Sequence, residues 1–369
     1  MSSSIRAALV LAVILFALSL GTLPVASAAE GEWVKYSGNP ILTPTLGGWD
    51  AGSVSTPRVL YDGRVFRMWY EGGNATTSGI GYANSTDGTL WRKYPAPVLL
   101  PDPAGSWDSS AIDLGSVIWN GTLFLMWYSG SSPVVYPNGA FGLATSPDGI
   151  TWTKYFGNPV LRPSAIDRKY MTDPDVISLN LTYNMWYVGR SAFDPASSEI
   201  TRILYATSFN GITWNKWPSS VLAPSINPDS WDSASVYSPS VVFDGSVFGM
   251  WYAGLSQSLA GPRIGFAKSP DGATWTQSPL NPILSPGPPG SWDSAGVEQP
   301  GVSVVIGYML YYDGFTNTTR TAIGLARAPE GFAIPEFPRA TSILLVGFLV
   351  ISATYLAGQP KTRRKKSIV

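Results

Sequence analysis

The stretch Met68-Trp69-Tyr70-Glu71-Gly72 decides the fold, because the chain returns to it four more times. The copies are Met126-Trp127-Tyr128-Ser129-Gly130, Met185-Trp186-Tyr187-Val188-Gly189, Met250-Trp251-Tyr252-Ala253-Gly254 and Leu310-Tyr311-Tyr312-Asp313-Gly314. Successive copies are 58, 59, 65 and 60 residues apart. A second segment follows each of the first four and carries Ser-x-Asp-Gly-x-x-Trp, as in Ser146-Pro147-Asp148-Gly149-Ile150-Thr151-Trp152; one copy has Asn210 for the Asp. A third segment precedes each copy: Trp49-Asp50, Trp107-Asp108, Trp231-Asp232 and Trp292-Asp293, with Ile166-Asp167 in the third unit.

Each unit of about 60 residues reads as four short strands, with Asp-Gly or Asn-Gly as a tight-hairpin signal between the third and fourth. One such sheet cannot bury both faces, so the copies must stack on one another. Radial stacking produces a propeller. The fifth unit stops at Pro329-Glu330-Gly331-Phe332, before its Trp and fourth strand. The segment Gly31-Glu32-Trp33-Val34-Lys35-Tyr36-Ser37-Gly38-Asn39-Pro40 matches the piece from Gly149 to Pro159. The N-terminal strand is therefore predicted to complete the last blade and leave no open sheet edge. The expected fold is all-β: a five-bladed β-propeller of four-stranded blades over residues 29–332. A solenoid would leave the half-unit without a partner.

Composition bounds the chemistry. The chain has 369 residues, no cysteine and no histidine. Disulfide frameworks, thiolate nucleophiles, His-dependent triads and zinc sites built on Cys or His are excluded. Catalysis is left to carboxylates, Lys, Arg, Tyr and hydroxyls. Charged residues are only 13%, with Lys+Arg 24 against Asp+Glu 24, which argues against a nucleic-acid partner. No cofactor is expected: a pore calcium with oxygen ligands is conceivable, but no loop has calcium-site spacing.

The two ends read as address labels. Arg6, an apolar run from Ala7 to Leu20, Pro24 and Ala26-Ser27-Ala28 form a secretory signal-peptide pattern over residues 1–28. An uncleaved anchor helix is the alternative. Residues 340–358 are apolar or small and long enough for one transmembrane helix. In residues 359–369, Lys361, Arg363, Arg364, Lys365 and Lys366 make a basic tail expected to stay in the cytoplasm. Residues 333–339 form a linker containing Ile334-Pro335-Glu336-Phe337. Pro-Glu-Phe, apolar helix and basic tail together resemble the PEF-type sorting signal of archaeal surface proteins. That resemblance implies a sortase-like processing enzyme as a partner; simple membrane anchoring is the alternative. The expected location is the cell surface, anchored by the C-terminal segment. Asn74, Asn84, Asn120, Asn180 and Asn317 head glycosylation sequons.

The propeller region resembles the five-bladed glycosidase superfamily of arabinanases, β-xylosidases, invertases and levansucrases, with mannoside phosphorylases nearby. The likeness rests on the Trp-Tyr-x-Gly strands, the Ser-x-Asp-Gly-x-x-Trp hairpins and the Asn-Pro-Ile/Val-Leu segments at Asn39, Asn158 and Asn281. It implies a glycoside hydrolase or phosphorylase acting on a carbohydrate.

Residues present in every blade cannot mark a single site, so the Trp-Asp pairs and the hairpin acids Asp87, Asp148 and Asp271 read as scaffold. The innermost strands begin Ser55-Thr56-Pro57, Asp113-Leu114-Gly115, Thr172-Asp173-Pro174, Tyr237-Ser238-Pro239 and Glu298-Gln299-Pro300. These starts should converge at one end of the axis. Three carry carboxylates, Asp113, Asp173 and Glu298, which suits glycosidic cleavage by an acid, a base or nucleophile, and a modulator. The resemblance implies Glu298 as the acid, with Asp173 or Asp113 as base. The family's usual base position, in the first blade, holds Ser55 and Thr56 instead. Arg58, Tyr136, Arg168, Tyr170, Arg190, Tyr237 and Gln299 are the candidate substrate-binding residues, with Lys169 beside them. Arg202 and Arg263 would match a sialidase arginine cluster, but sialidases have six blades and a hairpin box one residue longer. The alternative function is a non-catalytic propeller that binds glycans or organises the cell surface.

Overall fold

Each repeat folds into its own antiparallel four-stranded sheet. The computed structural model describes residues 33–136, 139–167, 171–190, 200–305, 307–317 and 321–328. The first blade runs Ser53–Tyr61, Phe66–Gly73, Ser78–Ser85 and Arg92–Lys93. The second runs Ala111–Trp119, Phe124–Ser131, Ala140–Ser146 and Thr153–Lys154, and the third Met171–Leu179, Thr182–Arg190, Thr201–Ser208 and Asn215–Lys216. The fourth runs Ser235–Phe243, Phe248–Leu255, Arg263–Ser269 and Thr276–Gln277. In the fifth, Gly296–Val304, Tyr308–Phe315 and Ala322–Arg327 are completed by Val34–Lys35 from the N-terminal side. Val34 pairs with Arg327 and Lys35 with Ala326, so the predicted closure is present. The signal peptide, sorting linker, candidate span and basic tail lie outside the described residues. Among the described residues no helix is long and apolar enough to cross a membrane.

The inner strands touch in a closed cycle, first to second and so on round to the first. Five apolar clusters lie between adjacent blades and bury the Met-Trp-Tyr strands from both sides. Hydrogen bonds stitch the same interfaces. Trp69 Nε1 donates to Gly149 O at 2.8 Å, Trp127 to Gly211 O at 3.0 Å and Trp186 to Gly272 O at 2.7 Å, each reaching the next blade's hairpin. The fifth blade has Tyr311 at the tryptophan position, and its hydroxyl reaches Gly88 O at 3.3 Å.

Within blades, the recurrent Asp is a buried anchor. Asp50, Asp108 and Asp293 accept the hydroxyls of Tyr70, Tyr128 and Tyr312 at 3.1, 3.2 and 3.3 Å. Lys93, Lys154, Lys216 and Lys35, all on fourth strands, pair with Asp50, Asp108, Asp167 and Asp293. The fourth blade substitutes Gln277, which donates to Asp232 at 2.9 Å.

The recurrent Trp explains two glycines. A Cβ on Gly72 or Gly81 would come within 2.7 or 2.8 Å of the Trp49 ring, so the ring lies on bare backbone. The third blade reaches the same density differently. Ile166 replaces the Trp and Leu204 replaces the third-strand glycine, with Leu204 Cδ1 placed 2.5 Å from where a Gly189 Cβ would be. One difference from expectation concerns the hairpins. Strand three ends at Ser85 and strand four starts at Arg92, so the link is a loop rather than a two-residue turn. Asp87 Oδ1 takes the N–H groups of Thr89 and Leu90, both at 2.8 Å, and holds that wider loop open.

Candidate active site

All five inner strands begin with an irregularity. The register slips between Ser55 and Arg58, Leu114 and Ser116, Thr172 and Asp175, Tyr237 and Ser240, and Glu298 and Gly301. In four blades the residue before the proline is left-handed: Thr56 at φ 53°, Asp173 at 51°, Ser238 at 50° and Gln299 at 50°. Proline cannot donate to the ladder, and a bulge re-aims the side chains beside it. A left-handed residue with a side chain costs about 1–2 kcal/mol, and four in equivalent places at one end of the axis mark that end as specialised.

Just inside lies a ring of Arg58, Ser116, Asp175, Ser240 and Gly301, one from each blade. It is a staple layer. Ser116 Oγ accepts Val176 N at 2.9 Å, Asp175 Oδ2 accepts Val241 N at 2.8 Å, and Ser240 Oγ accepts Val302 N at 3.1 Å. Arg58 Nε donates to Gly115 O at 2.5 Å, and its Nη1 to Pro57 O and Pro300 O, both at 3.1 Å. Arg58, expected to meet substrate, is thus buried below the strand starts and holds backbone carbonyls of three blades. Asp175 occupies a serine position, where burial pushes its carboxyl up to about 6 against the pull of Arg58.

Above this ring opens a cavity of about 450 Å³ lined by Glu71, Asp113, Thr172, Asp173, Tyr237 and Gln299, together with Val188, Thr201, Ser235 and Leu255. Asp173 accepts Ser238 Oγ at 2.7 Å and Thr172 Oγ1 at 3.0 Å. Asp113 is half-buried, and burial followed by the neighbouring Asp173 raises its carboxyl to about 6. Glu71 accepts Leu114 N at 2.7 Å on Oε1. Burial first, then Asp113 and Asp173, push it well above the carboxylate range. Glu298 takes the Tyr237 hydroxyl at 2.8 Å on Oε2; its carboxyl is raised by burial and, less, by Asp173, while Tyr237 pulls it back. Gln299 Oε1 is buried at the cavity wall with no hydrogen-bond partner among the described residues.

The structure therefore brings together Asp113, Asp173, Tyr237 and Gln299, with Glu298 hydrogen-bonded to Tyr237 and not itself among the lining residues. Other candidates sit elsewhere. Tyr136 accepts Arg162 Nε at 2.9 Å and is not among the cavity residues. Arg190 ends its strand opposite Thr201, beside the lining rather than in it. Arg168 and Tyr170 lie outside the described residues.

Two acids escaped the sequence reading, Glu71 and Asp313. Both occupy the x of Trp-Tyr-x-Gly, where the other blades have Ser129, Val188 and Ala253. In the ladder this x faces the start of the inner strand: Ser55 with Glu71, Asp113 with Ser129, Glu298 with Asp313. The variation at x was the available signal. Among the described residues no group of three or more acidic side chains is arranged as a metal ligand set.

No family profile matches the chain. Among solved structures, a glycosyl hydrolase from Bacteroides ovatus is 18% identical, with TM-score 0.61 over 81% of this chain and 94% of its own. A structure from the GH130 family of mannoside phosphorylases, which contains glycoside hydrolases that target β-1,2 mannosidic linkages in Candida mannan, is 16% identical, with TM-score 0.62 over 81% and 94%. These likenesses show the shared propeller fold. In sequence, the chain is 26% identical over 232 residues to the 1,2-beta-oligomannan phosphorylase of Thermoanaerobacter sp. (strain X514), covering 60% of this chain and 71% of that protein. It is 30% identical over 275 residues to the uncharacterized protein Rv1502 of Mycobacterium tuberculosis (strain ATCC 25618 / H37Rv), covering 72% of this chain and 88% of that one. That identity and coverage place the chain in one family with Rv1502 of Mycobacterium tuberculosis.

Proposed function

We propose that the chain is a glycoside hydrolase of extracellular glycans, with Asp113 as general base and Asp173 as the neighbour that tunes it. The observation that carries this reading is the setting of Asp113, at an open axial cavity and poised at about 6. Such a base is ionised at neutral pH yet still basic enough to take a proton from water. Thr172, Tyr237 and Gln299 offer hydroxyl, ring and amide to a sugar. Water is favoured over phosphate as acceptor, because a phosphate anion would meet Asp113 and Asp173, and no cation is among the described lining residues.

The 1,2-beta-oligomannan phosphorylase relative makes a β-1,2-mannoside the first glycan to test. Full-length protein is incubated with a β-1,2-oligomannoside and a panel of other glycans, with and without inorganic phosphate, and released sugar is measured. The expected result is phosphate-independent release that Asp113→Asn lowers by about a hundredfold or more. Sugar phosphate as the product would overturn hydrolysis. Binding without any cleavage would leave a glycan-binding propeller.

We further propose that this activity is exported and membrane-anchored, supported by the signal-peptide pattern of residues 1–28 and by the apolar stretch 340–358 with its basic tail. Protease treatment of intact cells should remove the propeller; full protection would reject a surface location.

A further inference from the structure

Glu71 is the one cavity acid with no place in the three-carboxylate scheme of the inner strands, and its surroundings suit a specific task. Its position in the repeat is otherwise filled by Ser129, Val188, Ala253 and Asp313. Asp313 is spent on structure: it is 1% exposed, and both of its oxygens accept Thr56 N. Glu71 differs. It lines the cavity, and its Oε1 takes the N–H of Leu114, the residue after Asp113. That bond locks the Glu71 carboxyl to the strand that carries the proposed base. By contrast, the carboxyl expected to be the acid, Glu298, is hydrogen-bonded to Tyr237, and Tyr237 is the residue that reaches the cavity. Gln299 lines the same wall, with its Oε1 buried and without a hydrogen-bond partner among the described residues.

We propose that Glu71, not Glu298, is the general acid of this site, giving its proton to the glycosidic oxygen while Asp113 activates water. This rests on the hydrolase reading above. The Glu71 carboxyl proton passes to the bridging oxygen as the C1–O bond breaks, and the bond's electron pair leaves with that oxygen as an alcohol. Water adds its oxygen to C1 and gives its proton to Asp113. One water is consumed, and exchange with solvent restores Glu71 to the acid form and Asp113 to the ionised form. The electrostatics agree: Glu71 is kept protonated by burial and by Asp113 and Asp173, the Thr56 hydroxyl and the Leu114 N–H oppose this more weakly, and Asp313 is a further acid nearby.

The test uses full-length wild type, Glu71→Gln, Glu71→Asp and Glu298→Gln, with a β-1,2-mannobiose and dinitrophenyl β-mannoside as paired substrates. An acid variant loses the natural substrate but keeps the aryl glycoside, whose leaving group needs no proton. Expected are a loss of about a hundredfold or more on the disaccharide for Glu71→Gln, less than about tenfold on the aryl glycoside, and loss of the alkaline limb of the pH profile. Glu71→Asp should recover part of the disaccharide rate. Thermal melts accompany each variant, and retained aryl-glycoside turnover itself reports a folded site. If Glu71→Gln cleaves the disaccharide at near wild-type rate, or if Glu298→Gln shows the leaving-group signature instead, the Glu71 assignment falls while the hydrolase reading stands. A Glu71→Gln that loses both substrates equally also overturns it. A wild type inactive on both removes the hydrolase reading and the assignment with it.

Discussion

Asp313, in the fifth blade, receives the backbone N–H of Thr56, in the first, on both carboxylate oxygens, at 2.9 and 3.0 Å. Glu71 repeats the contact one blade on, taking Leu114 N at 2.7 Å. In both, a second-strand acid caps the irregular start of the next blade's inner strand. Backbone groups freed by the bulges are thereby satisfied. The carboxylate concentration at this end of the axis is thus partly scaffold and partly chemistry, and variants can separate the two.

The rate should carry an acidic limb near pH 6. As pH falls through about 6, Asp113 takes up a proton and ceases to accept one from water. A profile of kcat/KM for the mannoside against pH checks this, and a flat profile between pH 5 and 7, taken at about unit steps, would remove Asp113 from the base role.

Stability should peak on the acid side of neutrality. Glu71, Asp113, Asp175, Glu298 and Asp313 are all raised in the fold by burial. Between the unfolded value of about 4 and their folded values, the folded chain holds more protons, so stability falls as pH rises. Asp87, Asp148 and Asp271 are held at about 2 by loop N–H groups, so their contribution is lost as pH drops below about 4. Urea midpoints from pH 3 to 8 should therefore trace a dome with its top at about pH 4 to 5. Asp175→Asn should flatten the alkaline side.

Lys93→Met should destabilise by about 3 kcal/mol, because it strands Asp50, only 1% exposed, without its cation. Lys93→Gln should cost less, since Gln277 serves Asp232 in the fourth blade. The exposed Arg67–Asp62 pair should be worth less than about 1 kcal/mol. Chemical denaturation of Lys93→Met, Lys93→Gln and Arg67→Met ranks them.

The third blade's exchange of side-chain volume should be visible as coupling. Ile166→Trp alone meets the Leu204 side chain that covers Gly189, and Leu204→Gly alone opens a hole. Each should cost about 2–4 kcal/mol, and the double variant less than their sum. A double-mutant cycle that comes out additive would refute the packing argument.

Ring closure should be fragile at Trp33, which is 4% exposed and meets Trp251 edge-on at 6.0 Å. Trp33→Ala should cost about 3–5 kcal/mol and Trp33→Phe markedly less, measured as thermal midpoints.

The ring was legible in the chain because its signals are local and repeated. Met-Trp-Tyr strands, Asp-Gly loops and a half-unit at each end count the blades and predict that Val34–Lys35 closes the fifth. The inner-strand starts were legible too, and Asp113 and Asp173 do meet at one cavity. What the pattern hid was Glu71, since it stands inside the motif that defines the repeat and looked like scaffold. It also left Arg58 as a substrate contact, where the structure buries the side chain with Nε and Nη1 on the carbonyls of Gly115, Pro57 and Pro300 and Nη2 without a partner among the described residues.

By itself, then, the sequence determined the blade number, the register of closure and the restriction of chemistry to carboxylates, because periodicity and composition are properties of the chain. Only the tertiary structure decided which carboxylates share a cavity and which are capped, buried or paired. Glu71, Asp113 and Asp173 come from three different blades. Their mutual repulsion and shared loss of water exist only once the ring has closed.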